Sequence, residues 1–348
     1  MREPLTMKGV LDGLLERNLI AADEVPGIVQ HLQERAGETA LPWFVRTLVT
    51  LGAWTAAVCF VVFLAIADLL PHDGSALAAW GLLFIGGALG LQYLRNLFCK
   101  QLALALSSGG HAMLLWGLAK VFDGFGVVPC AAAVLCAVLY PFYREPLHRF
   151  LSTLLVPVMA VAWLMKYPES MTALLPALFL LEMALMGAAL VAWRDEPALR
   201  PAGYAMAAAL LLTPLLVLLP QEQFHIVWWP SSATLGAGAL ALIHYLSKSA
   251  RAFRGEPAAW AVAGTVALAA VSTPGLLAAG GLLALGYALR ERKLEGLSLL
   301  FIPIFLFVFY YHLDLTLLRK SYLLAASGAV LLLIRAVIVR RPWAKEAL

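Results

Sequence analysis

The stretch MTALLPALFLLEMALMGAALVAWRDEP, residues 171–197, decides the fold. From Met171 to Trp193 it carries a single charged side chain, Glu182. About 20 mostly apolar residues are what a helix needs to cross the hydrocarbon of a bilayer. The run then ends abruptly in Trp193-Arg194-Asp195-Glu196-Pro197. Each of these suits a turn at a membrane surface. The aromatic ring sits at the interface, the arginine reaches headgroups, the acids favour the next helix N-terminus, and proline fits a first helical turn. The segment reads as one spanning helix turning directly into another.

Working outward, the same pattern recurs across the chain. Apolar stretches run over 47–70, 75–93, 101–119, 125–142, 149–165, 171–193, 202–219, 228–246, 257–272, 274–289, 296–312 and 319–339. The ninth and tenth are short and joined by Ser272-Thr273-Pro274. They count as two because Arg254 and Arg290 belong on one side. The chain is 62% hydrophobic and 13% charged, against roughly 25% charged for a soluble domain. Lipid must cover the surplus apolar surface. The expected fold class is all-α, a polytopic transmembrane helical bundle of about 12 spans.

Positive charge orients it. With the N-terminus inside, 20 of the 25 lysines and arginines fall on the inside, and Lys120, Lys166, Arg319 and Lys320 outside. Arg335 lies within the last stretch, near its cytosolic end, where it can snorkel. Both termini are therefore expected in the cytosol. The inside loops also echo one another. Tyr143-Arg144-Glu145-Pro146, Trp193 to Pro197 and Phe253-Arg254-Gly255-Glu256-Pro257 each close one helix and open the next. Repeated two-helix hairpins and convergence on loop chemistry both explain this.

Three regions follow: a cytosolic helical hairpin over 1–46, the transmembrane helical domain over 47–339, and a cytosolic tail over 340–348. The hairpin has apolar faces at Leu5, Val10, Leu11, Leu14 and Leu15, then Val25, Ile28, Val29 and Leu32. It is too small for a core of its own. A cap on the bundle is the favoured role over a recruitment module. Within the bundle, Gly86 and Gly90 form a small-xxx-small pair. Gly236, Gly238, Gly280, Gly281, Ala284 and Gly286 also permit close approach. Pro157, Pro214 and Pro303 interrupt helices and release backbone carbonyls. Cys59, Cys99, Cys130 and Cys136 read as packing thiols.

Few residues offer chemistry. Glu182 sits mid-span, where an acidic residue costs about 2.5–3.5 kcal/mol on insertion scales. It is either a proton or cation site or a protonated acid bonding a neighbouring helix. His111 lies mid-span on the third stretch, with Ser107 and Ser108 on its face. At similar depth, it and Glu182 can form a proton relay, or His111 can simply bond another helix. Asp68, His72 and Asp73, Glu222 and His225, and His312 and Asp314 place His with carboxylates outside, but in no ligand spacing. They read as solvated loops, so no metal is expected. No phosphate loop, HExxH, CxxC or GxSxG occurs. No enzyme activity and no cofactor are expected. The scattered basic residues form no nucleic-acid stripe.

Two segments carry a family likeness. Leu14-Leu15-Glu16-Arg17-Asn18-Leu19-Ile20-Ala21 resembles the amphipathic hairpin that opens several bacterial membrane families. Leu41-Pro42-Trp43-Phe44-Val45-Arg46, then Gly52-Ala53-Trp54 and Phe60 to Phe63, resembles the start of the first span in domain-of-unknown-function family 4401. The resemblance implies a bacterial inner (cytoplasmic) membrane protein, acting beside a second membrane protein. It assigns no activity, ligand or catalytic residue. Two functions remain. One moves a small solute, lipid or proton past Glu182 and His111. The other is a non-transporting scaffold or assembly partner of another membrane protein.

Overall fold

Each of the first eleven apolar stretches forms a helix in the computed structural model: α1 (Trp43–Ile66), α2 (Gly74–Leu91), α3 (Leu97–Val121), α4 (Val127–Leu139), α5 (Pro146–Leu164), α6 (Pro168–Ala192), α7 (Arg200–Leu218), α8 (Trp229–Ser249), α9 (Glu256–Val271), α10 (Pro274–Leu289) and α11 (Arg292–His312). The structure describes residues 42–94, 96–143, 145–193, 195–218, 227–249 and 255–312, with a few isolated positions beyond them. The hairpin expected before Pro42, Glu222, His225, Asp314, the twelfth stretch with Arg335, and the tail lie outside the described residues. No strand occurs among those described.

Among the described residues, six helices are long and apolar enough to cross a membrane: α1, α2, α3, α5, α6 and α7. The helices α4 and α10 are apolar but shorter. At 13 and 16 residues they extend only about 20 and 24 Å. Arg290 ends α10 in the left-handed region, at φ 57°.

The chain divides into two compact units, Met1–Gly117 and Leu118–Leu348. In the first, α2 and α3 meet backbone to backbone. A Cβ on Gly81 would lie 2.5 Å from Leu114 N and 2.7 Å from Gly110 O. One on Gly117 would lie 2.6 Å from both Ala78 N and Gly74 O. Only glycine permits this approach. The pair anticipated at Gly86 and Gly90 plays no part in this contact, since no described atom lies within 4 Å of a Cβ at either. Both sit on the face of α2 turned away from α3. Leu64, Phe84 and Met113 form a small core here. Asp73 caps α2, accepting from Ala76 N at 3.1 Å and from the Ser75 hydroxyl.

In the second unit α7 is the central helix. It packs against α5, α6, α10 and α11, and every residue from Ala205 to Leu211 is buried. Apolar on all sides, it belongs in an interior, and its alanines let four neighbours come close. The helix α8 packs on α6, α9 and α10. Phe179, Leu211, Leu235, Leu277 and Phe305 are core members from five helices. Gly238 and Gly286 serve close approaches, to Met183 and to Glu295. Gly280 and Gly281 have open space before them.

Candidate functional site

Glu182 lies in the second unit, near the middle of α6, and is 1% exposed. Its Oε1 accepts a hydrogen bond from the Thr213 hydroxyl of α7 at 2.6 Å. Thr213 is also buried. The other oxygen, Oε2, is buried with no hydrogen-bond partner among the described residues. Phe179, one turn earlier on α6, is fully buried, so the carboxyl lies in apolar packing. Prolines interrupt both helices nearby. Pro176 is inside α6, and Pro214 directly follows Thr213 in α7. Proline has no N–H, so Pro214 cannot close the helical bond to the Leu210 carbonyl. Sequence reading found Glu182 and missed its partner. The available signal was a threonine placed before an intrahelical proline in a run of leucines.

His111 lies in the first unit, on α3, and is buried. Its Nδ1 is 2.7 Å from the Ser107 carbonyl oxygen. A carbonyl only accepts, so Nδ1 carries the hydrogen. Ser107 is buried as well. The Ser108 hydroxyl donates to the Leu104 carbonyl at 2.9 Å. The expected face of Ser107, Ser108 and His111 thus bonds along its own helix. Glu182 and His111 fall in different units, and each of these hydrogen bonds closes within its own unit.

Asp68 and His72 lie between α1 and α2. His72 Nδ1 is 3.8 Å from Asp68 Oδ1, with both side chains exposed. No group of three His, Cys, Asp or Glu among the described residues is placed to hold a metal ion. The four cysteines are free thiols.

The domain of unknown function (DUF4401) matches residues 42–341. The chain belongs to the DUF4401 family. No curated protein and no solved structure matches it.

In this DUF4401 chain, the loops of the second unit are tied together at each end. At one end, Arg149 Nε donates to the carbonyls of Tyr140 and Tyr143, at 3.1 and 2.7 Å. The Tyr140 hydroxyl donates to the Ala198 carbonyl at 2.7 Å. This joins the α4–α5 loop to the turn at Pro197–Leu199. The Tyr143 and His148 rings stack at 3.5 Å between centroids. The Tyr204 hydroxyl donates to Glu291 Oε2 at 2.9 Å, bringing in the α10–α11 junction. At the other end, the Lys166 ammonium lies 4.8 Å from the Phe125 ring centre. The loops after α3 and α5 therefore meet there.

Proposed function

We propose that this chain is a multi-pass bacterial inner-membrane carrier of a small solute, lipid or proton, with Glu182 as the group that takes up and releases a proton. Thr213 positions the carboxyl. Within the first unit, His111, with Ser107 and Ser108, is a second candidate for proton exchange. The observation that carries this reading is Glu182 Oε2, buried and without a hydrogen-bond partner among the described residues. A glutamic acid serving only as interhelical glue would engage both oxygens, because an unsatisfied buried polar atom costs about 1–3 kcal/mol. Ionisable groups at membrane depth mark proton and ion paths.

The proposed topology has about 12 spans and both termini in the cytosol. Besides the charge asymmetry, loop pairing supports it. The loops after α4, α6 and α10, with the helix starts that follow them, carry seven lysines and arginines and meet at one end of the second unit. The loops after α3 and α5 meet at the other.

The test is proton uptake into proteoliposomes under an imposed potential, for wild type and Glu182→Gln. The variant should fold, and its flux should lose the wild-type pH dependence. Detectable flux that is identical in both proteins at every pH would refute the carrier role.

One observation favours the second reading, a scaffold or assembly partner of another membrane protein. Gly86, Gly87 and Gly90 on α2 face open space among the described residues, and such a surface admits a second protein's helix. Leucines at Gly86 and Gly90 would abolish co-purification with such a partner, and would leave a carrier unaffected.

A further inference from the structure

At the end of the second unit where the α4–α5, α6–α7 and α10–α11 loops meet, cations rest on aromatic rings rather than on acids. The Arg200 guanidinium lies 5.8 Å from the Trp193 ring centre. The Trp193 and Tyr204 rings are 5.4 Å apart. The Lys293 ammonium lies 5.3 Å from the Tyr204 ring centre. The rings and cations thus form one continuous strip from Arg200 to Lys293. Arg290 and Arg292 lie just before Lys293 in sequence, on either side of Glu291, and all four cations are exposed. None of the four makes an ion pair among the described residues. Glu291 accepts from the Tyr204 hydroxyl.

A ring holds a cation in place but does not cancel its charge. The strip therefore presents oriented positive charge that no direct ion pair among the described residues neutralises. Helix electrostatics do not explain it, since Arg200, Arg292 and Lys293 open α7 and α11, where the macrodipole disfavours cations. Trp193 and Tyr204 are the residue types that settle at headgroup depth.

We propose that Arg200 and Lys293, held on Trp193 and Tyr204, bind the phosphate of an anionic glycerophospholipid in the adjoining leaflet, with Arg290 and Arg292 adding to its attraction. The arginine fork suits phosphate oxygens, and the ammonium adds a point charge beside it. The site rests on the chain being a membrane protein and is independent of the role of Glu182.

The test uses the full chain in dodecyl maltoside micelles, titrated with dioleoylphosphatidylglycerol or dioleoylphosphatidylcholine and followed by thermal unfolding. Phosphatidylglycerol should raise the midpoint and phosphatidylcholine should not. A cation beside an anionic surface contributes about fivefold in affinity. Arg200→Gln with Lys293→Gln should therefore weaken the response by about thirtyfold. Lys120→Gln with Lys166→Gln removes as much charge from the opposite end and should leave the response unchanged. Should the first pair fail to fold, Arg200→Gln alone, on an exposed side chain, should show about fivefold. A folded Arg200 variant with the wild-type response overturns the proposal, as does an equal loss in the Lys120 and Lys166 pair. Inorganic phosphate in zwitterionic micelles at matched ionic strength should do nothing. A rise equal to that with phosphatidylglycerol would overturn the lipid assignment in favour of a soluble phosphate.

Discussion

Gly81→Ala tests the closest contact in the first unit. The new Cβ would stand 2.5 Å from Leu114 N, 2.7 Å from Gly110 O and 2.9 Å from Leu114 Cα. All three are backbone atoms, so no side chain can swing aside. Ordinary contact begins near 3.4 Å, which requires α2 and α3 to part by about 0.9 Å. A gap of that size forfeits a quarter to a half of each atom pair's attraction. With about 40 pairs across the contact at ~0.15 kcal/mol each, the loss is about 1.5–3 kcal/mol. Alanine's higher helix propensity returns about 0.8–1 kcal/mol. The net expectation is a destabilisation of about 1–2 kcal/mol. Gly86→Ala and Gly90→Ala meet nothing and should be stabilising by up to about 1 kcal/mol. Equilibrium unfolding in mixed micelles of dodecyl sulfate and dodecyl maltoside measures all three. Gly81→Ala combined with Gly110→Ala should cost less than the sum of the singles, because one separation of the helices relieves both clashes. If Gly81→Ala proves as stable as Gly86→Ala, the glycine contact is wrong.

In a double-mutant cycle, Glu182→Met and Thr213→Val should show a coupling of about 0.6–1.7 kcal/mol, the range for hydrogen bonds between membrane helices; a value near zero would dissolve the pair. Asp73 titrates below the usual carboxylate range, chiefly through the Ser75 hydroxyl and then the Ala76 N–H. Its cap on α2 is therefore fully present above the unfolded value of about 3.9 and is lost as pH falls through the lower folded value. Amide exchange at Ala76 should follow that titration in wild type and lose it in Asp73→Asn, which still caps; an unchanged pH profile would remove Asp73 from this role. Reporter fusions after Asp73, Glu169, Glu222 and Asp314 should all read as external, and a cytosolic signal at any of them would force the spans to be redrawn.

The succession of apolar helices was legible in the chain because hydropathy acts locally. A run such as 171–193 is apolar whatever it packs against. The same local logic picked out Glu182, whose charge is anomalous in its own segment. It could not supply Thr213, thirty-one residues away, because hydropathy does not say which helix lies beside which. It also chose the wrong glycines on α2. The spacing of Gly86 and Gly90 satisfies a motif, yet the helix turns a different face, through Gly81, toward α3.

The amino-acid sequence alone determined that this protein is helical and apolar enough to need a lipid environment. The reason is that transfer of side chains and backbone into hydrocarbon is additive along the chain. Only the tertiary structure decided that Glu182 meets Thr213, that α7 is enclosed on all sides, and that Arg200 and Lys293 share an aromatic strip. Those pairings depend on the rotation and order of helices whose outer surfaces are nearly alike in lipid, and close packing with a few buried hydrogen bonds selects among them.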